Sequence, residues 1–224
     1  MSRELLVRVE NLRKSYVANG NAYDALRHAS GTVLAGDRVA VVGRTGSGKS
    51  TLLHLLAGLD APSSGSISWP GLGPQRDLRP GKIGVVFQSP SLVPWLDVTE
   101  NLILPLLLCN RPDNVSILAA AALDRFELGH LATRLPEELS GGQAQRVSMA
   151  RATMTGPSLV LADEPTGQLD LETGTHLMDA LFEWADHTGA ALVVATHDPG
   201  IAARFTTKWQ VDQGSLITPT ELLS

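Results

Sequence analysis

The stretch GRTGSGKST, residues 43–51, fits the spacing G-x-x-x-x-G-K-[ST] at Gly43, Gly48, Lys49 and Ser50. It follows the apolar run VAVV and precedes TLLHLLAGL, so the glycines fall between a short strand and a helix start. Backbone N–H groups there converge on an anion, and the positive end of the helix dipole favours it. Thr45, Gly46, Ser47, Gly48, Lys49 and Ser50 would wrap a β-phosphate with their N–H groups, with Arg44 and Thr51 completing the loop. Lys49 would reach the β- and γ-phosphates, and Ser50 would ligate Mg²⁺. Four fixed positions match by accident in roughly one such chain in a hundred on average residue usage. The flanking strand and helix make accident remote.

Two carboxylates follow a second apolar run, in LVLADEP at residues 159–165. Ligands of open α/β sheets sit at the C-terminal ends of the strands. Asp163 there is suited to hold Mg²⁺ through its water shell. Glu164 is suited to orient or deprotonate a water attacking a γ-phosphate. An ordinary Glu has a pKa of about 4.3, so positioning weighs more than basicity. Gln88 ends IGVVFQ, where a neutral amide can contact Mg²⁺ or the water; on spacing alone a surface glutamine fits equally well. His197 follows ALVVAT and is the only one of six histidines so placed. Read in isolation it is a capping or loop histidine; beside a phosphate loop it faces the γ-phosphate. Tyr16, in RKSYVANG, either stacks on adenine or belongs to the core.

A second feature looks built for phosphate. In EELSGGQAQRVSMARA, Ser140 and Gln143 form an S-x-x-Q capping box, an ordinary helix start. Gly141 and Gly142 weaken the same turn by roughly 1 kcal/mol each against alanine. Close approach of the backbone to a ligand accounts for them. The helix start would offer N–H groups, a hydroxyl and a positive dipole end. One nucleotide cannot easily use both grips from one chain. The simplest resolution is two copies head to tail, with two ATP sandwiched between them.

The elements that must position these residues are legible as runs. LLVRV (residues 5–9) alternates like a half-buried strand. RVAVVG (38–43), KIGVVFQ (82–88), SLVLAD (158–163) and ALVVATH (191–197) are short apolar runs. Helical patterns cover 49–58, 140–155 and 172–187. This order predicts an α/β fold with buried parallel strands and crossover helices. Residues 62–81 are rich in Pro, Gly and Ser and read as turns between short strands. Residues 89–155 read as a helical lobe inserted into the core, with a helix over 116–128. The whole of 1–224 is expected to be a single domain.

Composition narrows the partners. The net charge is −5, a poor footing for nucleic acid. The single cysteine, Cys109, excludes a disulfide framework and a cysteine-based zinc site, and reads as a small packed hydrophobe. The opening MSRELLVRVENLRKSY has no leader pattern. No apolar run reaches the ~18–20 residues of a membrane span. The nearest, residues 102–109, is short and contains Pro105. Work at a membrane would require a partner to hold the chain there.

Taken in order, the phosphate loop, Gln88, LSGGQ, the pair at 163–164, GQLD at 167–170 and His197 resemble the ATP-binding subunit of an ABC transporter over essentially the whole length. The resemblance implies a P-loop NTPase with a RecA-like core, an N-terminal antiparallel β-subdomain and an inserted helical subdomain. It implies an ATP hydrolase using Mg²⁺, in which Tyr16 stacks adenine, Gln88 couples to the membrane partner and His197 senses the γ-phosphate. Ser140, Gly141, Gly142 and Gln143 would close on the opposite nucleotide, and Asp170 would bridge the dimer. The implied partners are a second copy or a related chain and integral membrane permease subunits, at the cytoplasmic face. TLLHLLAGLDAPSSG, LPLLL and RLPEELSGGQ are most similar to the lipoprotein-release and macrolide-export branch. PWL at 94–96 and Gln168 depart from it, PWL toward nutrient-importer ATPases, which stands as the alternative. A soluble ABC-type ATPase of DNA repair or translation lacks its usual coiled coil or second cassette here. A P-loop small-molecule kinase leaves LSGGQ without a role.

Overall fold

The computed structural model describes residues 3–18, 20–111 and 113–217. The four apolar runs are parallel strands: β3 (Arg38–Val42), β5 (Ile83–Val86), β6 (Leu159–Asp163) and β7 (Ala191–Ala195). β1 (Leu5–Ala18), β2 (Asn21–Leu34), β4 (Ser64–Ser68), β8 (Thr207–Asp212) and β9 (Ser215–Ile217) complete one sheet. Its order is β4-β1-β2-β9-β8-β3-β7-β6-β5. Alternation along the parallel strands explains their unbroken apolar sequence. Val39, Val41, Leu161 and Val193 face one cluster with Leu52, Leu55 and Leu56 of α1 (Lys49–Leu56). Ala40, Val160, Leu192 and Val194 face the other cluster. There they meet α5 (Leu171–Thr188), which buries Leu177, Met178, Leu181, Trp184 and Ala185 at helical spacing.

The N-terminal subdomain is antiparallel, as expected, but larger than LLVRV suggested. β1 and β2 pair from Leu5 opposite Leu34 to Ala18 opposite Asn21, with several register shifts. β4 adds to the outer edge of β1. Within the sheet the subdomain joins the core through β9, which pairs β2 at His28 and Ser215 and β8 beyond it.

The inserted lobe comprises α2 (Val98–Leu108), α3 (Val115–Arg125) and α4 (Gly141–Thr153). Residues 89–97 are irregular, not helical. Pro90 and Pro94 disfavour helix there. Buried Asn101 holds the segment instead: its Oδ1 accepts from Val93 N (2.8 Å) and its Nδ2 donates to Leu96 O (2.8 Å). Asp97 and Glu100 form a reciprocal capping box that starts α2. α3 stops three residues short of 128, and Glu127 takes a φ of 54° just beyond its end.

Candidate active site

The C-terminal ends of β3, β5, β6 and β7 meet at one cavity of about 340 Å³. Thr45, Gly46, Gly48, Lys49, Ser50 and Thr51 form its floor. Gln88, Asp163, Glu164 and His197 form one side. Gly43 and Arg44 line a neighbouring cleft that His197 shares. Ser47 is buried beneath the loop, its Oγ without a partner. Gly48 has a φ of 112°, and a Cβ there would stand 2.4 Å from Ala25 O of β2. Only glycine lets the loop lie against the N-terminal subdomain.

Lys49 is 7% exposed and folds back over the loop. Its Nζ donates to Gly43 O (2.9 Å) and lies 3.5 Å from Glu164 Oε1. Glu164 Oε2 lies 2.8 Å from His197 Nδ1 and accepts from His197 N at 3.3 Å. Glu164 has a φ of 46°, a conformation side chains rarely adopt, and its N–H bonds Ala195 O of β7 (2.9 Å). A half-buried carboxylate is thus clamped between a lysine ammonium and a histidine ring.

Asp163 ends β6 and is 5% exposed. Burial raises its carboxyl above the usual range; the Ser50 hydroxyl opposes the shift and the Glu164 charge adds to it. Its Oδ1 is buried without a partner. An orphaned carboxylate oxygen beside a hydroxyl and an amide is a fitting oxygen donor set for Mg²⁺. Among the described residues no three His, Cys, Asp or Glu cluster around a metal position. A carboxyl raised above its ordinary 3.8 binds its proton more tightly folded than unfolded. The folded state therefore loses stability as pH rises from that value through the higher folded one. Asp163→Asn is expected to raise the melting temperature of the nucleotide-free chain at neutral pH. The rise should be roughly 2–4 °C for each kcal/mol relieved. Mg²⁺-dependent ATP binding should fall in the same variant. Calorimetry showing no gain at pH 7 would contradict the assignment.

Ser140, Gly141, Gly142 and Gln143, expected from the sequence to form a second phosphate grip, do not line this cavity. Ser140 Oγ accepts from Gln143 N (3.2 Å) and Gln143 Oε1 accepts from Ser140 N (2.9 Å), closing the expected capping box at the start of α4. A Cβ on Gly141 would stand 2.7 Å from Gln168 Oε1, and one on Gly142 2.6 Å from Leu169 Cδ2. Both atoms are the ends of flexible side chains that can move aside, so the chain's own loop at 167–170 packs against the two glycines without itself requiring them. Asp170 caps α5, accepting from Thr173 N (3.0 Å) and Thr173 Oγ1 (2.7 Å). Those bonds hold its carboxyl below the usual range, the backbone one foremost.

Tyr16 is not among the residues lining the cavity. Its hydroxyl donates to Asp60 Oδ2 (2.8 Å), and Lys14 Nζ sits 4.9 Å from its ring centre. Tyr23, Asp24 and Ala25 of β2 line the cavity instead. Sequence reading missed them because β2 lacks clean alternation. It also missed Gln145, which is buried in α4 and donates to Phe87 O (3.3 Å) beside Gln88. Arg151 Nη1 likewise donates to Ser91 O (2.9 Å). The helix that begins at Ser140 is therefore tied directly to the strand end bearing Gln88.

The sequence pattern of the ABC transporter family matches residues 26–167. A lipoprotein-releasing system ATP-binding protein LolD from Hydrogenovibrio crunogenus is 40% identical, covering 98% of this chain and 99% of the relative. The LolD of Shewanella oneidensis is 37% identical over 97% and 98%. Among solved structures, the dimeric ATP-binding cassette MJ0796 in a post-hydrolysis state with ADP and Pi superposes with a TM-score of 0.87. It is 33% identical, over 94% of this chain and 96% of that one. The cbiO1 protein of Clostridium perfringens, part of the cbiONQ transporter complex, gives 0.81 at 27% identity, over 98% and 91%. The chain belongs to the ABC transporter family, as an ATP-binding, ATP-hydrolysing subunit of its lipoprotein-release and macrolide-export branch.

Proposed function

We propose that this chain works as a pair, each ATP held by the cavity of one copy and by Ser140, Gly141, Gly142 and Gln143 of the other. Closure and reopening of the pair would drive transmembrane partners, in lipoprotein release or related extracytoplasmic export. The observation that carries the reading is the split between the two grips. The loop, Gln88, Asp163, Glu164 and His197 share one cavity, while the helix start at Ser140 stands apart from it. The dimeric form of MJ0796 supports the pairing, and the name of the LolD relatives supports the transported class.

Each side chain has a role in the step. Lys49 and the loop N–H groups hold the β- and γ-phosphates. A γ-phosphate drawn to Lys49 competes with Glu164 for that cation and turns the carboxylate toward the attacking water. The water oxygen bonds to the γ-phosphorus as its bond to the β–γ bridging oxygen breaks, and Glu164 accepts the water's proton. His197 holds the Glu164 carboxylate and faces the transferring group. Ser50, Gln88 and Asp163 would hold Mg²⁺, whose contribution there is to neutralise charge on the β- and γ-oxygens. Most of the rate gain is positioning and electrostatic.

The chain would reach the membrane through its partners, at the cytoplasmic face. No helix of the described residues is long and apolar enough to cross one. Trp95, 77% exposed in the segment after Gln88, offers those partners an apolar contact. We place the full 1–224 in one domain with its helical lobe inserted. Ser140→Arg tests the shared site: one ATP should still bind per chain, while pairing and hydrolysis are lost. Loss of all nucleotide affinity would show that Ser140 serves its own chain's nucleotide and would overturn the reading.

A further inference from the structure

We propose that the chain holds a small oxyanion, of the phosphate or sulfate class, in a second cavity between the inserted lobe and α5. Arg125 at the end of α3, Glu127 just beyond it, Arg146 of α4, and Thr173 and His176 of α5 line it. None of its lining residues lines the cavity of the phosphate loop, so the inference stands apart from the ATP reading. Its volume is about 120 Å³. A single water needs roughly 10–15 Å³, and organic ligands occupy sites of roughly 300–1,000 Å³. The space therefore suits a small ion with a few waters.

Charge decides which kind of ion. The chain as a whole carries −5, yet two guanidinium groups and an imidazole converge on this one space. The Arg146 side chain is 18% exposed, and its Nε is enclosed without a partner among the described residues. The carboxylate it faces, Glu127, stands 3.8 Å from its Nη1, at the outer limit of an ion pair. Glu127 is itself 74% exposed, so water screens the little charge it offers. A largely desolvated cation without a close counter-charge is costly, and an anion in the cavity relieves that cost. The planar fork of a guanidinium matches an oxyanion in shape as well as charge. Arg125 and His176 have no ion pair among the described residues. Thr173 gives its hydroxyl to Asp170 (2.7 Å), which leaves Arg125, Arg146 and His176 as the side-chain donors. An oxyanion held by these three would link α3, α4 and α5, tying the inserted lobe to the core through the helix that begins at Ser140.

The probe is inorganic phosphate, titrated into the full chain carrying Lys49→Ala, which weakens phosphate binding at the nucleotide cavity. Calorimetry should still register phosphate binding. Adding Arg125→Ala or His176→Ala should weaken it about tenfold in each case. Both residues are exposed on helix surfaces, so in chloride these variants should melt as their parent does. Phosphate at ten times its Kd should raise the melting temperature of the Lys49→Ala chain by roughly 3–6 °C over chloride of equal ionic strength. The chain that also carries Arg125→Ala and His176→Ala should show no such rise. Absence of phosphate binding in the Lys49→Ala chain, or an affinity that neither Arg125→Ala nor His176→Ala changes, overturns the proposal. With Lys49 intact, Arg125→Ala should bind ADP as wild type does.

Discussion

Glu164→Gln is expected to lower ATP turnover at least a hundredfold while ATP binding persists, on the usual order of a lost general base. The amide keeps the size of the side chain and an acceptor for His197 N. It loses the charge that would take a proton from water. It also loses the ion pair to Lys49, which stands at 3.5 Å in the nucleotide-free chain. Lys49 is then free for phosphate, so affinity for ATP should stay level or rise. Phosphate release and equilibrium binding measured side by side check both halves. A wild-type rate would remove Glu164 from the chemistry.

Lys49→Ala should cost about a hundredfold in nucleotide affinity. Hydrogen bonds to charged groups contribute about 1.5–3 kcal/mol each, and 1.4 kcal/mol is tenfold in binding. The variant also leaves Glu164, 11% exposed as a side chain, with His197 as its remaining partner. Some loss of stability should accompany the loss of binding. A melt separates the two, because a folded chain that still fails to bind ADP isolates the phosphate contact. Unaltered affinity would mean that the loop binds phosphate through backbone N–H groups alone.

The phosphate-loop side of the cavity was legible because its residues lie close together in sequence. GRTGSGKST and LVLADEP each place reactive groups within a few residues of a buried strand, and an unbroken apolar run identifies such a strand. Gln88 and His197 followed by the same logic, since each ends a run whose neighbours in the sheet are also parallel. The wall that β2 contributes to the cavity was not legible. β2 runs through exposed, half-buried and buried positions without a period of two, so NAYDALRHASGTVL does not announce a strand. Bulges in β1 break the alternation beyond LLVRV. Tyr23 enters the site only through the pairing of those two irregular strands. β8 and β9 were missed for another reason: TKWQVD alternates buried Trp209 and Val211 with exposed residues, but the alternating run is only six residues long and β9 is shorter still. Gly141 and Gly142 show a different limit. Their type signalled a close approach, and only the fold shows that the chain's own Gln168 and Leu169 make one.

The central claim is that two copies share each nucleotide. Sedimentation of Glu164→Gln with saturating ATP and Mg²⁺ tests it most directly. The account predicts a species of twice the chain mass that reverts to single chains when ADP replaces ATP. A single chain throughout, with ATP demonstrably bound, would contradict it.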